Sequence, residues 1–151
     1  MDVKLRLTLG VLSCFAATVL ASTAAAQSLC VTASRANLRA GPGTEHRVNW
    51  TVYKNMPLEQ VEKQGEWIRV RDVDGDLHWI YDRLVSASQD CVTIRADIAN
   101  IRRGPGTRFR KWFTVKRYTS FRKTGEEGGW IKIEYEGEAM WVYNTLVWPT
   151  G

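Results

Sequence analysis

Asn37-Leu38-Arg39-Ala40-Gly41-Pro42-Gly43-Thr44 returns 63 residues later as Asn100-Ile101-Arg102-Arg103-Gly104-Pro105-Gly106-Thr107. The match continues outward from that stretch. Gly65-Glu66-Trp67-Ile68-Arg69-Val70 reappears as Gly128-Gly129-Trp130-Ile131-Lys132-Ile133, and Trp79-Ile80-Tyr81 with Leu84-Val85 reappears as Trp141-Val142-Tyr143 with Leu146-Val147. Cys30-Val31-Thr32 has its counterpart in Cys91-Val92-Thr93. Four separated matches in one order mean an internal duplication. The copies differ by two extra residues early in the second and one fewer in its last hairpin.

Each copy is a series of short alternating stretches broken by turn residues, which predicts strands rather than helices. Val48, Trp50 and Val52 fall on one strand face, and Asn49, Thr51 and Tyr53 on the other. Asp74-Gly75-Asp76 and Glu136-Gly137-Glu138 separate alternating runs, as hairpin turns do. Five or more strands in about 60 residues imply a small, strongly bent barrel, since an open sheet of that size exposes its edges. The fold class expected is therefore all-β, two small barrels in tandem.

The Gly-Pro-Gly-Thr turn after Asn-Leu/Ile-Arg, the Gly-x-Trp-Ile-x-Val/Ile strand and the closing Trp-Ile/Val-Tyr resemble bacterial SH3-like domains, twice over. His78 and Met140 stand where many such domains have Gly before the last tryptophan. The resemblance implies domains at residues 30–86 and 91–148 joined by a linker at 87–90. It also implies exported, non-catalytic modules that bind cell-wall material or protein partners of the envelope.

The chain has 151 residues, 44% hydrophobic and 25% charged, an ordinary globular composition. Lys4 and Arg6, the uncharged run Leu7 to Leu20 and the small residues Ala21 to Ala26 form a secretory signal pattern, with cleavage expected after Ala26. An uncleaved anchor and a lipoprotein signal are the rival readings. The apolar run falls short of the roughly 18 residues that span a bilayer, and no transmembrane segment is expected after cleavage. Export to the periplasm or beyond places Cys30 and Cys91 in an oxidising compartment, where a disulfide between them competes with free thiols or intermolecular pairing. Charge is uneven: residues 28–90 hold 8 basic and 9 acidic groups, and residues 91–151 hold 11 and 6. The basic half is read either as a solvated surface or as a face for a polyanion.

Gly41, Pro42 and Gly43, like Gly104, Pro105 and Gly106, read as tight turns with glycine at positive φ; they lack the Lys-Ser/Thr of a phosphate loop. Arg39 and Arg102 are expected to brace those turns or face solvent. Asp72, Asp74 and Asp76 alternate as calcium ligands sometimes do, but without the spacing of an EF-hand loop, and a hydrated hairpin is the plainer reading. His46 and His78 have Phe109 and Met140 in the second copy, so no nucleophile–base set repeats and no enzyme is expected. No metal site has ligand spacing, and no cofactor is implied.

The tryptophans carry the binding hypothesis. Trp50, aligned with Phe113, and Trp79 and Trp141 are assigned to the core. Trp67 and Trp130 share strand faces with charged residues, so they either cap the core at its rim or form platforms for a sugar face or an extended peptide. Trp112 shares a face with Arg110 and Lys116; it either packs against the other barrel or binds an anionic polymer. Arg102, Arg103, Arg108, Lys111, Arg117, Arg122 and Lys123 thicken that basic patch. The partners expected are a cell-wall glycan or peptidoglycan peptide, with a periplasmic protein as the alternative. Nucleic acid is not expected as a physiological partner, because the chain is read as exported.

Overall fold

The computed structural model describes residues 26–150. All of the segment read as an export signal except Ala26 lies outside the described residues. Fourteen strands form two seven-stranded antiparallel sheets, and no α-helix occurs among the described residues. The first sheet contains β1 (Ser28–Val31), β2 (Arg35–Arg39), β3 (Val48–Tyr53), β4 (Pro57–Gln64), β5 (Trp67–Arg71), β6 (Leu77–Tyr81) and β7 (Val85–Ser86). The second contains β8 (Asp90–Ile94), β9 (Ile98–Arg102), β10 (Lys111–Lys116), β11 (Ser120–Glu127), β12 (Trp130–Tyr135), β13 (Glu138–Tyr143) and β14 (Val147–Trp148). The strand orders are β3-β2-β6-β5-β4-β1-β7 and β10-β9-β13-β12-β11-β8-β14, the same topology twice.

The longest strand of each sheet makes the bend. β4 pairs with β1 through Pro57 to Glu59 and with β5 from Glu59 onward, and its register shifts between Gln60 and Glu62. β11 does the same between β8 and β12, with the shift between Lys123 and Gly125. One extra residue in a strand sharpens its twist, so a single eight-residue strand serves both halves of its sheet. The core that results is aliphatic and matched between copies. Leu38, Ile68, Val70 and Ile80 fill the first, and Ile101, Ile131, Ile133 and Val142 fill the second, all at most 6% exposed.

Two expectations are corrected here. Trp79 and Trp141 are half-buried on the outward faces of β6 and β13, because His78 and Ile80, and Met140 and Val142, take the inward positions. The glycines Gly41, Gly43 and Gly104 do not sit at positive φ. At Gly41 and Gly104 the absence of a side chain is needed for the close approach of a ring, whereas at Gly43 the neighbour is a flexible, exposed carboxylate. A Cβ on Gly41 would stand 2.6 Å from the His46 ring, a Cβ on Gly43 would strike the Glu45 carboxylate, and one on Gly104 would strike the Phe109 ring. Gly106 alone of the four does sit at positive φ, at 156°, and positive φ also occurs in the hairpins, as at Glu136 and Gly137, which form the two-residue turn between β12 and β13 with φ of 51° and 79°.

Cys30 of β1 and Cys91 of β8 form a disulfide with their Cα atoms 6.0 Å apart, both cysteines being buried. Further contacts join the two sheets. The Trp50 and Tyr118 rings meet edge-on at 5.1 Å, Ser120 Oγ donates to Met56 Sδ at 3.4 Å, and Asp74 accepts from Tyr118 Oη at 2.8 Å and from Arg117.

Candidate functional site

The loop between β2 and β3 is built by an arginine. Arg39 Nη1 donates to the carbonyls of Thr44 at 3.0 Å and His46 at 2.8 Å. Arg102 Nη1 donates likewise to Thr107 at 3.2 Å and Phe109 at 2.9 Å. Each guanidinium is thus spent on the loop it precedes, with proline and glycine shaping the chain between donor and acceptors. Arg102 is a brace and not a free cation of the basic patch.

The braced loop forms one wall of a groove, and the same groove occurs in both sheets. The first is about 590 Å³ and is lined by Asn37, Arg39, Gly43, Thr44, Trp67, Tyr81 and Leu84, together with Arg35, Ala36, Glu45 and Glu66. The second is about 570 Å³ and is lined by Asn100, Arg102, Gly106, Thr107, Trp130, Tyr143 and Leu146, with Gly128. Seven lining positions of one are the repeat partners of seven in the other. Trp67 lies 5.7 Å from Tyr81 and Trp130 lies 5.2 Å from Tyr143, centroid to centroid, with the rings tilted by 55° and 57°. Both tryptophans are half-buried and Tyr143 is 42% exposed. An aromatic pair beside a polar Asn and Thr, in an open cleft, is suited to stacking a sugar ring or an extended peptide.

The tyrosines were not singled out from sequence. Their signal is the third residue of the Trp-Ile-Tyr and Trp-Val-Tyr runs, two places along the strand from a tryptophan assigned to the core. Once β5 and β6 pair with Trp67 opposite Tyr81, and β12 and β13 with Trp130 opposite Tyr143, cross-strand neighbours on one face must touch.

Trp112 does not pack against the other sheet. It is 45% exposed at the register shift of β10, between Lys111 and Phe113, where the extra residue turns outward. The Arg103 guanidinium stacks 3.7 Å from its ring centroid and Arg110 lies at 5.4 Å. Arg103 also pairs with Glu138. The basic patch is in fact mostly paired: Arg117 with Asp74, Arg122 with Glu134 at 3.4 Å, and Lys123 with Glu126 at 3.0 Å. Arg108 lies over the Phe109 ring at 4.9 Å, and Lys111 and Lys116 are exposed on β10.

The acidic hairpin is exposed at Asp74, Gly75 and Asp76, as its composition suggests, but Asp72 at its base is withdrawn from solvent. Asp72 is 3% exposed; its Oδ1 accepts from the Asp74 and Asp76 amides, each at 2.9 Å, and its Oδ2 lies 3.0 Å from His78 Nε2. His78 Nδ1 lies 3.2 Å from Asn49 Nδ2, so with that amide donating to Nδ1 the Nε2 proton belongs to the bond with Asp72. In the second copy the three positions are Tyr135, Met140 and Trp112. Asp72, Asp76 and His78 bring three potential ligand atoms within 4.8 Å of one another. Both Asp72 oxygens are already used by N–H donors, which fits a lock on the hairpin better than an ion holder. The lock presents Asp74 to the other sheet. Burial opposes ionisation of Asp74, but the hydrogen bonds from Arg117 and Tyr118 outweigh it and hold the carboxyl below its ordinary value.

Comparison with known proteins agrees with this architecture. Residues 32–87 and residues 97–147 each match a family model described as a bacterial SH3 domain. No curated protein is significantly similar in sequence. Among solved structures, NlpC1 from Trichomonas vaginalis is 14% identical, with a TM-score of 0.37 over 84% of this chain and 47% of that one. NlpC2 from the same organism is 13% identical, with a TM-score of 0.38 over 84% and 49%. An NlpC/P60 family protein from Bacillus cereus is 11% identical, with a TM-score of 0.38 over 80% and 55%. The chain thus spans about half the length of these structures. With both copies matched and the topology repeated strand for strand, the chain belongs to the bacterial SH3 domain proteins and carries two such domains in tandem.

Proposed function

We propose that the protein is a non-catalytic binding module of the cell envelope that holds peptidoglycan through its two equivalent grooves. The observation that carries this reading is the duplicated Trp–Tyr groove. The same stacking pair, polar Asn and Thr, and arginine-braced wall are built twice from separate stretches of chain. Two weak sites on one molecule suit a repetitive polymer, because the second contact is made at the high effective concentration set by the first. The buried Cys30–Cys91 disulfide supports an oxidising, extracytoplasmic location. No helix among the described residues is long and apolar enough to cross a membrane.

Co-sedimentation with purified peptidoglycan sacculi tests the proposal. The protein is expected in the pellet, and a Trp67→Ala/Trp130→Ala double variant in the supernatant. A protein that stays in solution while co-purifying one-to-one with an envelope protein would replace this reading with that of an adaptor that docks an extended peptide. Release of soluble fragments from the sacculi would instead mark an enzyme.

A further inference from the structure

The turn between β3 and β4 and the turn between β10 and β11 are one structure built twice. The Asn55 amide donates to the Val31 carbonyl and the Tyr118 amide to the Ile94 carbonyl, each at 2.8 Å, and both residues sit in the left-handed region, with φ of 69° and 68°. Asparagine tolerates that conformation, whereas for a bulky residue such as tyrosine it is strained. The turn does not itself call for tyrosine, since its repeat partner closes the same hydrogen bond with Asn55.

The Tyr118 side chain is used outside its own domain. Its ring meets Trp50 of the first domain edge-on at 5.1 Å, and its Oη donates to Asp74 at 2.8 Å. The Arg117 guanidinium, which also donates to Asp74, lies 5.1 Å from the centre of the ring. Trp50 is likewise turned outward from its copy: its repeat partner Phe113 meets Tyr135 of its own domain at 4.9 Å. Two clefts, of about 260 Å³ and 330 Å³, are both walled by Trp50 and Tyr118, so the ring pair stands between openings rather than inside a continuous apolar interface. Domains of one chain move relative to one another unless their interface is large and apolar or a specific contact holds them. The disulfide alone is a single tether about which the domains can turn.

We infer that Tyr118 is a positioning residue: its strained turn locks the two domains into one rigid body and so holds the two grooves at a single separation and orientation. The coupling stands on the geometry of the junction, and its consequence for binding rests on the grooves being the sites proposed above. A ligand that bridges both grooves must then present its units at a matching spacing, as a repetitive polymer does. A pair of sites already in place is spared the ordering cost that two loosely joined domains meet on binding.

Residual dipolar couplings, which report the orientation of each domain separately, test the coupling without any ligand. Two variants install the residue that the other copy carries, Tyr118→Asn and Trp50→Phe, and Tyr118→Phe keeps the ring while removing its hydroxyl. The wild-type couplings of both domains are expected to fit one alignment tensor, and so are those of Tyr118→Phe. Tyr118→Asn should keep the native amide spectrum of each domain, because asparagine suits the turn, yet need a separate tensor for each; Trp50→Phe should do the same. A common tensor in either of these two variants overturns the inference. Loss of the second domain's native spectrum in Tyr118→Asn also overturns it, since the tyrosine would then serve its own domain. With sacculi, retention of Tyr118→Asn, whose grooves are untouched, is expected to fall roughly fivefold. Undiminished retention with uncoupled domains overturns the positioning role. A wild type that does not sediment at all rejects the groove reading and leaves the tensors to decide the coupling.

Discussion

Trp67 and Trp130 combine moderate burial with a tyrosine neighbour and an open cleft, so their removal should cost ligand affinity more than stability. Each single substitution to alanine is expected to leave a folded protein, checked by the dispersion of its amide spectrum, and to weaken binding by about 1–3 kcal/mol, as loss of an aromatic stacking partner does. Asp74 acts on a different contact. Asp74→Asn is expected to weaken the link between the two domains by about 1 kcal/mol, since the ion pair is partly exposed. The Asp74 carboxyl is held below its ordinary value, so its stabilisation is complete above the unfolded value near 3.9 and is lost as pH falls through the lower folded one. The stability difference between wild type and Asp74→Asn should therefore be constant from neutral pH to about 5 and shrink below about 4. A difference that disappears near neutrality would contradict the clasp. Sequence reading put Trp67 and Trp130 on partly exposed strand faces from alternation alone, because a strand's faces follow from counting by two. It did not find Asp74 or Tyr81, because their roles depend on which strand, or which domain, lies opposite.

At the scale of elements, the loops carrying Gly41-Pro42-Gly43 and Gly104-Pro105-Gly106 were visible as turns, but the reason for their glycines was not. Close approach of the His46 and Phe109 rings is a tertiary fact, which no φ preference encodes. Gly41→Ala and Gly104→Ala should each destabilise their own domain by about 1–3 kcal/mol through overpacking, read as a lower urea midpoint, and should also deform the groove wall. If glycine were present only for backbone freedom, the cost would be the smaller one of a strained φ, or none. The hairpins divide similarly. Glu136-Gly137 behaves as its sequence says, a two-residue turn with both residues at positive φ. Asp72 to Asp76 looks like a solvated acidic turn, yet its first residue is buried beneath His78 and Asn49. The signal was present in retrospect: an aspartate two residues before Asp74 is placed to cap the backbone of its own turn. The misassignment of Trp79 and Trp141 has the same physical origin. A residue that opens a strand motif faces the core or solvent according to parity, and parity there is set by His78 and Met140.

For the whole molecule, duplication made the architecture legible: two copies of one pattern had to give two copies of one fold, and the topologies are identical. Charge was less informative, since five members of the basic patch have polar or acidic partners within the fold, leaving Arg108 and Lys111, with Arg110 and Lys116 beside them. The disulfide closes a span of 61 residues across both domains. A Cys30→Ser/Cys91→Ser variant is expected to lose up to about 4 kcal/mol by the chain-entropy account, measured by urea denaturation. It should retain the native spectrum of each domain.

The central claim is that one binding groove has been built twice and that both copies engage the same polymer. Its most direct measurement is co-sedimentation with peptidoglycan sacculi of wild type, Trp67→Ala, Trp130→Ala and the double variant, in low and high salt. The account predicts strong retention of wild type, intermediate and similar retention of the two single variants, and none of the double variant. It also predicts that wild-type retention largely survives high salt, because stacking is not screened as charge contacts are. Retention of the double variant equal to wild type, or wild-type retention abolished by salt, would contradict it and move the binding surface to the cations around Trp112.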